Sequence, residues 1–210
     1  MSVEAPARVH VHRPLASEEQ ARADFYALFA RLMASAPDAK LLDTIAIAGE
    51  FPPDGDPALA RAWSDFIAAA AVMDPEALRE EYQALFEGMG AAEVSMYAAF
   101  FLGATAVDHP RVLLRADLAR LGLGAADHVS EPEDHWALLF DAMRVLVAGG
   151  AGRASATIEE QRRFYQSHLQ PGVAKFFHAM KAARSANFYR RVADLGLAFE
   201  ALETESFRRD

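Results

Sequence analysis

Apolar residues recur at helical spacing along almost the whole chain. Phe25, Leu28, Phe29, Leu32 and Met33 fall at i, i+3, i+4, i+7 and i+8, predicting a core-facing helix that ends near Ala36, before Pro37. Ser17 and Gln20 fit the capping box that would open it. A short helix fits 38–48, closed by Gly49, and "GEFPPDGDP" (49–57) reads as a loop. A third helix spans about 57–73, with Leu59, Trp63, Phe66 and Ile67 on one face. A fourth starts at Asp74-Pro75 and carries Leu78, Tyr82, Leu85 and Phe86. "VSMYAAFFL" (94–102) has no clear period and fits a short helix. Asp108 to Leu121 is helical, with Val112, Leu113, Ala116 and Leu121 expected inward. In "SEPEDHWALLFDAMRVL" (130–146), Ser130 and Glu133 form a second capping box and Pro132 sits in the first turn. Trp136, Leu139, Phe140, Met143, Leu146 and Val147 supply the buried stripe. Three more helices fit 156–168, 171–183 and 187–206. No strand-like alternation bounded by turns appears, so the expected fold is all-α, with nine or ten helices.

Composition narrows the picture. The 210 residues suffice for one domain or two small ones, and 52% hydrophobic against 24% charged residues argues for a folded chain. A formal net charge of -9 leaves no basic excess for nucleic acid. The absence of cysteine removes disulfides, thiol nucleophiles and zinc–thiolate sites. Residues 1–16, including His10 and His12, read as a solvated arm without a signal-peptide apolar region. No apolar run is long enough for a membrane span, so a cytoplasmic protein is expected. The connector "GLGAADHV" (122–129) divides an N-terminal helical subdomain, 17–126, from a C-terminal one, 127–210. It and the glycine-rich loop at 148–152 are compatible with a monomer or a domain-swapped dimer.

Catalytic motifs are missing. There is no phosphate-binding glycine loop, no nucleophile elbow and no zinc-protease signature, and His109, His128, His135, His168 and His178 never pair at i+3 or i+4. No cofactor and no metal are predicted. In "EEYQALF" (80–86), Tyr82, Leu85 and Phe86 suit either the core or a groove wall. The basic, aromatic stretch 162–191 reads as a solvated helical face. In the 130–146 segment, one residue lacks a structural explanation. A charged His135 at a helix start opposes the dipole. It either stays neutral, or pairs with Glu131 one turn back, or points with Asp134 into an inter-helix groove.

"EPEDHWALLFDAMRVL" resembles the E-P-x-D-H signature of the TorD/DmsD family, cytoplasmic chaperones of molybdoenzyme maturation. "EYQALFEGMG", "VSMYAAFFLG", and "FYQSHLQPGVAKFFHAM" followed by "ANFYRRVADLGLAFEALE" agree in order, so the resemblance covers roughly 20–205. It implies an all-helical protein with a hinge before the signature and no catalysis. The implied partner is the twin-arginine leader, and the unfolded apo form, of a molybdopterin oxidoreductase. That binding would assist cofactor insertion and prevent premature export. It also implies Glu131, Pro132, Asp134 and His135 as peptide-binding residues, with Tyr82, Leu85 and Phe86 beside them. The sequence departs from the family at Gly172, where many members carry tryptophan, and in the proline-free loop 87–97. Such a leader offers two guanidinium groups followed by an apolar stretch, which suits acids beside an apolar groove. Glu131, Glu133 and Asp134 are the expected acids, with Glu76, Glu80, Glu81 and Glu87 widening the field. Two alternatives stand: an enzyme using Asp134 and His135 as acid and base, and a structural subunit of a complex.

Overall fold

The computed structural model describes residues 17–52, 55–88, 92–102, 108–124, 131–150 and 152–209. The arm at 1–16, the expected boundary at 126–127 and the Ser130 cap lie outside the described residues. The order is α1 (Ser17–Ala34), α2 (Ala39–Ala46), α3 (Pro57–Ala70), α4 (Pro75–Tyr82), α5 (Ala98–Phe101), α6 (Asp108–Arg120), α7 (Trp136–Ala148), α8 (Ile158–Phe164), α9 (Val173–Ala182) and α10 (Phe188–Arg209). Wider π-helical turns extend α4 over Gln83–Glu87 and α8 over Tyr165–Leu169. Among the described residues there is no strand, only isolated bridges at Tyr97–His135 and Gly150–Arg153. The fold is all-α. No helix among these residues is long and apolar enough to cross a membrane.

Local chemistry sets four of the helix starts. Asp38, Asp56 and Asp74 each accept hydrogen bonds from first-turn amides, and proline follows directly at 57 and 75. Thr157 and Glu160 close a reciprocal capping box on α8. Gln20, in contrast, reaches forward to Asp24 (2.8 Å).

The core joins both halves of the chain. α1 lies along α7, and α10 packs on α3 and α9. Phe29 of α1 meets Phe140 of α7 at 5.5 Å, Phe177 of α9 at 5.5 Å and Phe199 of α10 at 5.7 Å. α9 approaches α10 closely because position 196 is glycine; a Cβ there would run into the Phe177 ring. A buried polar cluster ties α1 to α10. Arg22 forks onto Glu203 (2.6 and 2.9 Å), which also accepts from the Tyr26 hydroxyl (2.7 Å). Burial opposes the Arg22 charge, and Glu203 outweighs it.

α6 corrects one expectation. Val112, Leu113 and Ala116 face solvent, while Leu114 and Leu121 are buried and Leu118 half-buried. The run Val112-Leu113-Leu114 leaves the phase of an isolated helix undetermined. Contacts with the rest of the fold select it: Arg111 meets Asp134, Arg115 meets Glu133, and Asp117 meets His168.

Candidate functional site

Two stretches distant in sequence come together. In the first, Glu81 is buried at the end of α4 and accepts from three amides, those of Asn187 (2.8 Å), Phe188 (3.1 Å) and Tyr189 (2.8 Å). A carboxylate thus satisfies the free N–H groups where α10 begins. That anchor fixes the residues after it. The Tyr82 hydroxyl donates to the Met33 carbonyl (3.1 Å), and its ring meets Phe86 edge-on at 5.0 Å. Leu85 points into the core, fully buried.

The second stretch is Glu131 to His135. The His135 amide donates to the Pro132 carbonyl (3.0 Å), so the proline shapes a turn rather than the first turn of a helix. Backbone bonds stitch the turn to residues 96–99: Ala98 N–H to Asp134 O (2.8 Å) and Trp136 N–H to Met96 O (2.9 Å). α7 therefore starts at Trp136, and His135 is its N-cap: extended in backbone, with Nδ1 accepting the Ala137 amide at 3.2 Å. This overturns the reading in which the helix starts near residue 130 with Glu133 in its capping box. A neutral imidazole offers the lone pair a cap requires. Burial lowers the His135 pKa, against the opposing pull of Glu131 and Asp134.

Between the stretches lies a cavity of about 420 Å³. It is lined by Tyr82, Phe86 and Glu87 from the first stretch, by Glu131, His135, Ala137 and Leu138 from the second and the helix it opens, and by Ala34, Met96 and Tyr97. The Tyr97 hydroxyl donates to Glu131 (2.9 Å), and its ring stands edge-on to His135 at 5.5 Å. The Glu131 hydrogen bond, then burial, raises the Tyr97 pKa. Burial, with Glu87 and Glu131 behind it, pushes Tyr82 up to about 12, so both phenols remain neutral donors at physiological pH.

Of the residues expected at the site, Tyr82, Phe86, Glu131 and His135 line the cavity, while Pro132 shapes the turn that carries Glu131 and His135. Leu85 lies beneath, in the core. Asp134 is buried; its Oδ2 accepts the Ala99 amide (3.2 Å), and its Oδ1 lies 2.8 Å from Arg111 Nε. Glu133 receives a forked pair from Arg115 (2.7 and 3.0 Å), which holds its carboxyl below the usual range. Met96, Tyr97 and Leu138 were not singled out by the sequence. The available signals were a tyrosine in a stretch without helical period, 94–102, and the place of that stretch among the segments that carry the family resemblance.

The cavity pairs apolar and aromatic walls with carboxylates at Glu87 and Glu131, which suits a ligand that is part cationic and part apolar. Among the described residues, no group of three or more His, Asp or Glu side chains is arranged to hold a metal. His135 Nδ1 accepts the Ala137 amide and Asp134 Oδ2 accepts the Ala99 amide, so each has a structural use at the turn.

Position 172 borders the Trp136 ring. A Cβ there would lie 3.4 Å from both the Trp136 ring and Phe101 Cβ. Trp136 stacks on Phe176 at 5.0 Å, so it already fills the space beside position 172 from the start of α7.

A sequence model of the family described as nitrate reductase delta subunit matches residues 53–178, more than half of the chain and inclusive of both stretches. No curated protein matches the sequence.

Proposed function

The chain belongs to the nitrate reductase delta subunit family, the TorD/NarJ-type maturation chaperones of molybdoenzymes, and on that premise we propose that it binds the twin-arginine leader of a molybdopterin oxidoreductase precursor in the cavity between α4 and the Glu131–His135 turn. Family membership points to a chaperone rather than an enzyme. Because the leader must be met before export, the proposed place of action is the cytoplasm.

The observation that carries this reading is the convergence of Tyr82 and Phe86 with Glu131 and His135 on one cavity. Glu131 is the carboxylate for one guanidinium, with Glu87 adding negative field across the opening. Phe86, Met96 and Leu138 offer apolar surface to the residues after the arginines.

Calorimetry with a synthetic twin-arginine leader tests it. Glu131→Gln with Glu87→Gln should weaken binding about tenfold at low salt, and replacing the peptide's arginine pair by glutamine should do at least as much. Unchanged affinity in the double variant refutes the placement of the arginines. Absence of binding to the native chain refutes the reading itself.

A further inference from the structure

α6 meets the rest of the fold through polar side-chain contacts as well as apolar ones. Among its described side chains Leu114 is buried and Leu118 half-buried, whereas Val112 and Leu113 are 61% and 60% exposed. Against that modest packing stand three polar contacts: Arg111 to Asp134 (2.8 Å), Arg115 to Glu133 (2.7 Å) and Asp117 to His168 (2.8 Å). Arg153 also donates to the Leu121 carbonyl just beyond the helix.

The Arg111–Asp134 contact is unusual. The two atoms are close, but the N–H is not aimed at the oxygen. Arg111 Nε and Asp134 Oδ1 are buried without a hydrogen-bond partner. A carboxylate oxygen 3% exposed at the residue level and lacking a hydrogen bond retains an acceptor site for a better-aligned guanidinium. Residues 111–115 read Arg-Val-Leu-Leu-Arg: two guanidinium groups around an apolar run, the chemistry a twin-arginine leader brings. Among the described residues Glu131 alone of the three signature carboxylates pairs with no cation.

Resting on the leader-binding reading above, we infer that α6 is a built-in competitor for the leader. Arg111 and Arg115 hold Asp134 and Glu133 in the free chain, and an incoming leader arginine takes their place. The first leader arginine meets the open Glu131, and the second exchanges with the α6 arginines and loosens the helix. A peptide with a single basic residue reaches Glu131 but gains nothing from displacing α6. The exchange thus selects for a pair of arginines over scattered positive charge.

Leader affinity measured by fluorescence anisotropy tests the exchange in the full-length chain. Arg115→Gln removes a largely exposed pair and should tighten binding about two- to fivefold; Arg111→Gln with Arg115→Gln should tighten it about tenfold. If the native chain binds the leader and Arg115→Gln binds equally or more weakly, the competitor role is overturned while the leader-binding reading stands. If the native chain does not bind, both fall. Hydrogen exchange on the native chain reads the same event without any variant. α6 amides should lose protection when the twin-arginine peptide is added and keep it with the glutamine-substituted peptide. Unchanged α6 protection under saturating twin-arginine peptide also overturns the proposal.

Discussion

His135 makes the start of α7 sensitive to pH. Its Nδ1 accepts the Ala137 amide, and that acceptor disappears when the ring takes a proton. The unfolded chain protonates this histidine at about pH 6.5. The folded chain does so only at lower pH, because burial disfavours the charged ring more than Glu131 and Asp134 favour it. Between those two values the unfolded state binds more protons, so stability contributed by the cap is present above about pH 6.5 and is lost as pH falls through the folded value. One proton limits the slope to about 1.4 kcal/mol per pH unit, and loss of an N-cap costs about 0.5–2 kcal/mol in all. His135→Asn keeps an N-cap acceptor that does not titrate. It loses the ring contact with Tyr97, a constant offset, so the informative quantity is how the difference between the two proteins changes with pH. Urea unfolding followed by far-UV circular dichroism, from about pH 7.5 to about pH 5, should show parallel stabilities above about pH 6.5. Below it the native protein should fall relative to the variant by up to about 1–2 kcal/mol. Parallel curves across the whole range refute the neutral-cap reading of His135.

Three further outcomes follow from buried groups. Glu81→Ala leaves the Asn187, Phe188 and Tyr189 amides at the start of α10 without their acceptor and should cost about 3–5 kcal/mol in denaturant unfolding, with Glu81→Gln retaining part of the loss. Gly196→Ala drives a methyl into the Phe177 ring and should lower stability by about 1–3 kcal/mol, read as a reduced denaturation midpoint at unchanged slope. Glu203→Gln removes the charge that compensates Arg22 at the α1–α10 contact and should cost about 3 kcal/mol or more, whereas removing the exposed Arg209–Glu205 pair should change thermal stability by less than about 1 kcal/mol.

The polar groups around the turn divide into two kinds. Glu81, Asp134 and His135 serve backbone amides, and removing any of them is expected to disturb the fold as well as binding. Glu131 and Glu87 are exposed and line the cavity, so variants there report on ligand contact with little structural cost. A test of leader binding that substitutes Asp134 and His135 alone would confound the two.

Most helices were legible in the sequence because they depend on neighbours in the chain. The stripe Phe25–Met33, the Asp-Pro start at 74–75, and the periodic final helix each follow from contacts within about one turn. The two motifs were legible as stretches of chain, but the function of their residues was not. Whether α7 begins near 130 or at 136 is decided by the Met96–Trp136 and Ala98–Asp134 hydrogen bonds, which join segments roughly forty residues apart. The phase of α6 is decided by where Asp134, Glu133 and His168 lie in space, since its own apolar run fits more than one face. Three neighbouring carboxylates look equivalent in "EPED". Tertiary contacts bury Asp134 against Arg111, pair Glu133 with Arg115 and leave Glu131 on the cavity, because charge pairing depends on which cations the fold brings within a few ångströms.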